Sequence, residues 1–150
     1  MITDEISQAA STLKLGPDAM KRVPDAEALV VFQTCFGKFT AGVDRKWWWE
    51  GFSPPSAAAH FDDGQGFKSI VTTVPDPGER IWFIAEEDQM AFYPVYETTP
   101  RTAQKVIGEC YGFEYYMISK DFRWLLCENH HNVMIGIGPE ITSQLERKTV

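Results

Sequence analysis

Apolar and β-favouring residues are densest between Phe113 and Gly138, in three runs at 113–119, 122–128 and 133–137. Lys120-Asp121 and the polar Asn129-His130-His131-Asn132 divide them. Aromatic and branched residues between turn signals predict three consecutive strands, a meander. Trp124, Leu125, Leu126 and Cys127 form an unbroken apolar run, which predicts a central strand buried on both faces with a covering layer on each side.

Upstream the period changes. Ile6, Ala9, Ala10 and Leu13 recur at helical spacing over 3–15, with Thr3 as N-cap and Gly16-Pro17 as the stop. Asp25 is placed to cap a second helix carrying Leu29, Phe32, Cys35 and Phe36 on one stripe, ended by Gly37. Residues 53–67 read as a connection without regular structure, because Pro54-Pro55 and Asp63-Gly64 interrupt any period. Residues 68–74 fit a short helix or a strand equally well. Ile81–Ala85 is a buried strand; 93–97 is its pairing candidate, and Pro94, which cannot donate to a ladder, predicts an edge position for it. Thr99-Pro100 opens a helix to about 110 with Ala103, Val106, Ile107 and Cys110 on its apolar face. This helix is expected to lie across the sheet. The tail after Gly138-Pro139 is at most a short amphipathic helix. The order predicts a single α+β domain over 1–150: a mostly antiparallel sheet with a C-terminal three-stranded meander, packed against helices from the N-terminal half and the helix at about 99–110.

Composition narrows the setting. The chain has 150 residues, 44% hydrophobic and 23% charged, enough to bury a core without disulfides or structural metal. Cys35, Cys110 and Cys127 are odd in number, lie in apolar surroundings and form no CxxC pair, which predicts reduced, buried thiols and a cytoplasmic location. The opening MITDEISQAAS has neither a basic region nor an apolar core of a leader, and no apolar stretch is long enough to span a membrane. The net charge of −7 is unevenly spread: Asp76, Glu79, Glu86, Glu87, Asp88 and Glu97 face Arg80 alone within 76–97. Such a band repels nucleic acid and attracts basic partners, and the plain alternative is a solvated surface.

Two groups of residues are candidates for chemistry. Trp47, Trp48 and Trp49 are consecutive, so neither a helix nor a strand can turn all three to one side. They fit an interface anchor, with Glu86, Glu87 and Asp88 steering a basic partner, and they fit a partly core role as well. The second group is His60, Cys127, Glu128, His130 and His131. Cys127-x2-His130 is half of a zinc site; the missing half would have to come from residues such as His60 or Glu114. Adjacent histidines at a hairpin tip point apart, so structural turn residues are the expectation and no metal or cofactor is called for. A Cys-His nucleophile is disfavoured by the apolar setting of Cys127, and no short catalytic motif occurs. Acid catalysis by Glu114 or Glu128, which needs no short motif, stays open.

The run from Tyr116 to Gly138, above all Asp121-Phe122-Arg123-Trp124-Leu125-Leu126-Cys127-Glu128-Asn129-His130-His131, resembles a bacterial family of small single-domain proteins of unassigned function. More distantly, size, acidity and element order are similar to cytosolic toxin-immunity proteins of the SUKH superfamily, although their glycine-rich acidic signature is lacking. The resemblance implies a binding role and carries over no binding residue. The leading expectation is therefore a cytoplasmic protein-binding module, an immunity or accessory protein that occludes or holds a basic partner, with no affinity for nucleic acid or membrane. The alternatives are a small metal-binding or hydrolytic domain around Cys127, His130 and His131, and a homodimer through the tryptophans.

Overall fold

The computed structural model describes residues 1–41 and 48–148, and of Trp49 the backbone alone. Among these residues the order is α1 (Ile2–Thr12), β1 (Lys21–Arg22), α2 (Asp25–Phe39), β2 (Ser56–His60), α3 (Ile70–Thr73), β3 (Ile81–Ala85), β4 (Val95–Thr98), α4 (Pro100–Gly108), β5 (Tyr115–Ser119), β6 (Leu125–Glu128), β7 (Val133–Ile137) and α5 (Pro139–Lys148). Two 3-10 turns, Trp48–Gly51 and Gly66–Ser69, lie between. The strands form one open antiparallel sheet in the order β1-β4-β3-β5-β6-β7-β2. This is the expected α+β architecture, with the predicted meander as β5-β6-β7.

Side chains alternate along each strand and so divide the core in two. One face carries Phe83, Tyr115, Met117, Leu126 and Met134 under α1, α3, α4 and α5. The other carries Ile84, Tyr116, Ile118, Leu125 and Cys127 under α2 and Trp48. β3, β5 and β6 are buried at every position, which explains their unbroken apolar runs.

Several boundaries and one element differ from expectation. Residues 53–67 are not an irregular connection: β2 pairs antiparallel with β7 from Ser56↔Ile137 to His60↔Val133. Its run of three alanines carries little strand propensity, and the pairing comes from the β7 edge rather than from the segment itself. Of residues 68–74, those up to Thr73 are helical, a 3-10 turn running into α3, and Val74 is extended. β4 is not an edge strand, because β1 covers it through Lys21↔Glu97 and Arg22↔Tyr96. Pro94 sits just outside the ladder, where only its carbonyl is used, accepting from Ala85 N–H. α1 begins at Ile2 rather than after Thr3. α2 continues through Gly37 to Phe39, and its buried stripe is Ala28, Val31, Cys35 and Phe39, with Leu29 turned outward. α4 starts as expected, with the Thr99 hydroxyl accepting from Thr102 N–H, and it stops at Gly108, short of Cys110.

Candidate functional site

Antiparallel register brings particular strand ends together. Ala85 stands opposite Tyr115, and Tyr115 opposite Glu128, so Glu86, Glu114 and Glu128 meet at one end of three adjacent central strands. The Glu86 N–H continues the ladder by donating to Glu114 carbonyl oxygen at 2.9 Å. His60 at the end of β2 delivers Asp62 and Asp63 to the same end, since His60 pairs with Val133 at the start of β7. The opposite end holds three cations paired with acids: Arg80 and Lys120 both pair with Glu97, at 3.2 and 3.1 Å, and Arg123 pairs with Asp121. The sheet therefore has an acidic pole and a pole where acids are neutralised.

Alternation splits the acids between faces. Glu114, only 3% exposed, lies on the α2 side, where one of its oxygens accepts from the Tyr116 hydroxyl at 3.2 Å and the other stands 3.4 Å from His130 Nδ1. Glu86 joins this group. Burial first, then the hydrogen bond and charge of Glu114, then Asp88, push the Glu86 carboxyl up to about 8, with His130 pulling in the other direction. At neutral pH Glu86 is largely protonated, since a carboxyl beside a second carboxylate and out of water favours its neutral form.

Glu128 lies on the other face and is 8% exposed. It borders a cleft of about 550 Å³ between the 3-10 turn at Gly66–Ser69, the end of α4 and the β6–β7 turn. Burial raises its pKa, offset in part by the nearby Tyr115 hydroxyl. Gly66 makes room for the acid: a Cβ there would lie 2.8 Å from Glu128 Oε2. The β6–β7 turn is built by Asn129, whose Oδ1 accepts from His131 and Val133 N–H, and by Asn132 in the left-handed region. That turn aims His130 between the cleft and Glu114.

The residues singled out from sequence are distributed as follows. Trp48 is 2% exposed and fills the core under α2, with ring centroids 4.9 Å from Phe32 and 4.8 Å from Tyr116. Trp47 and the side chain of Trp49 lie outside the described residues. Glu87 Oε1 accepts from Ile2 N–H at 2.8 Å, tying the β3–β4 loop to α1. His60 Nδ1 lies 2.8 Å from Asp62. His130 and His131 do not point apart as expected of adjacent residues: their rings lie against each other, centroids 4.0 Å apart and planes tilted by 47°. Cys127 is fully buried on the α2 side; burial, then the acids Glu114, Glu128 and Glu86, raise its thiol well above the ordinary range, so it is no nucleophile. Among the described residues no group of three or more His, Cys, Asp or Glu side chains is arranged to hold a metal ion.

Sequence reasoning named Glu114, Glu86 and Glu128 separately and did not bring them together, because only the β3-β5-β6 register does so. It did not place Phe67 and Phe113 at a cleft, because the segments that carry them meet the β6–β7 turn only in the folded chain. Among the described residues no helix is long and apolar enough to cross a membrane. No curated protein and no solved structure matches the chain. Residues 1–149 do match a family of unknown function, DUF6756, and the chain belongs to that family.

Proposed function

We propose that the protein is a binding module that holds a basic protein partner at the acidic pole of its sheet. The observation that supports this reading is the segregation of charge: strand ends and loops gather Asp62, Asp63, Glu86, Glu87, Asp88, Glu114 and Glu128 at one end, while Arg80, Lys120 and Arg123 engage acids at the other. A pole with an excess of one sign steers an oppositely charged partner and speeds its encounter more than the same charges dispersed. Glu86 is the exception within the pole, being largely neutral at pH 7, so Glu87 and Asp88 carry the steering charge of that loop. The likeness to toxin-immunity proteins supports a narrower form of the reading, in which the partner is a basic toxin that the bound module occludes. Trp48 is no anchor in this reading, since its ring is committed to the core.

The test is capture of partners from source-cell lysate at low and high salt. The wild type is compared with a pole variant, Glu87→Gln with Asp88→Asn, and with Asp121→Asn as a control at the opposite end. The expected result is a basic protein retained by wild type and control, reduced in the pole variant and released by salt. Capture that ignores both salt and the pole variant overturns the reading, and so does the absence of any basic protein.

A further inference from the structure

The Glu128 carboxylate combines three properties that seldom occur together. It is more than nine-tenths buried, its polar neighbour among the described residues is the Tyr115 hydroxyl rather than a cation, and it opens onto a cleft. A buried acid without a partner is costly, and internal acids are ordinarily satisfied by a cation or by several donors. Among the described residues no ion pair does so here: Tyr115 stands beside the carboxylate, and Lys68, which also lines the cleft, is a half-buried residue. Gly66 lets Glu128 Oε2 and the Phe61 ring approach its backbone closely, since a Cβ there would lie 2.8 and 3.0 Å from them. Phe67 and Phe113 contribute aromatic surface to the same walls, and aromatic faces attract cations that an acid alone would leave half solvated. The volume of about 550 Å³ falls within the range of small-ligand sites.

We infer that this cleft is a recognition site for the head of an organic cation, a guanidinium or ammonium group on an apolar stem, which pairs with Glu128 and lies against Phe67 and Phe113. The head belongs either to a free amine or to a basic side chain of the bound partner. The inference deepens the reading of the acidic pole as a binding end, and rests on that reading only for a partner-borne head.

Titration with agmatine, and separately with a short arginine-containing peptide capped at both ends, is followed by amide resonances of Gly64, Gly66, Gly108 and Gly112. Saturable shifts at these glycines are expected, weakened at least tenfold in Glu128→Gln, whose folding is checked by its melting curve. Lys68→Ala removes a competing cation from the rim without touching the core, and is expected to tighten binding two- to threefold. Binding by agmatine alone assigns the site to a free amine; binding by the peptide as well assigns it to a side chain. Absence of saturable binding by either probe overturns the inference, as does equal binding by wild type, Glu128→Gln and Lys68→Ala. Such a failure leaves salt-sensitive capture of a basic protein at Glu87 and Asp88 intact. Conversely, agmatine binding without any captured protein removes the protein partner and keeps the cleft.

Discussion

Glu86 shows how far one side chain can depart from the charge its letter implies. Its carboxyl ionises near 4.5 in an unfolded chain and near 8 in the folded one. Between those values the folded state binds more protons, so the stability this group contributes is complete below the lower value and is lost as pH rises through the upper one. Glu86→Gln should therefore gain stability relative to wild type as pH is raised from about 5 to about 8, with the two proteins converging at the acidic end. Urea denaturation at both ends of that range checks it, and a constant difference between the two proteins would refute it. Residue types alone revealed much here: Thr99 as a cap, Cys127 as a buried thiol, and Glu114 and Glu128 as the carboxylates worth watching. They did not reveal that Glu86 is largely uncharged or that Trp48 is core, because both facts depend on neighbours supplied by other strands and by α2.

At the level of elements, local pattern was most informative where burial is symmetric. β3, β5 and β6 were legible because both of their faces are apolar, and α4 because Thr99-Pro100 marks its start. β2 was not, since its alanines have no period and its partner lies more than seventy residues away in the chain. The α2 stripe was displaced for a related reason: with Leu29, Val30, Val31 and Phe32 in succession, composition does not say which row faces inward. The docking of α5 offers the sharpest test of element packing. Gly136 lies in β7 directly beneath Ile141 and Leu145, and a Cβ at that position would collide with both side chains. Gly136→Ala should destabilise the fold by about 1–3 kcal/mol through forced repacking of the helix, read as a lower urea midpoint. Thr99→Ala should cost about 1 kcal/mol through loss of the bond to Thr102 N–H, by the same measurement.

Across the whole molecule, the sheet is assembled from distant parts of the chain. Its middle, β3 to β7, comes from residues 81–137, while its two outer strands, β1 and β2, come from the first sixty residues. Native-state hydrogen exchange should show this as slowest exchange in β3, β5 and β6 and faster exchange in β1 and β2, because edge strands open without breaking the core. Uniform protection across all seven strands would contradict it. The placement of β2 also has a consequence in time. On the ribosome, β2 is complete when His60 has been added, yet Val133, with which it pairs, follows 73 residues later. At ordinary elongation rates that is a wait of roughly 4–15 s. Throughout it β2 has no β7 edge to join, and the finished C-terminal meander is what finally admits it.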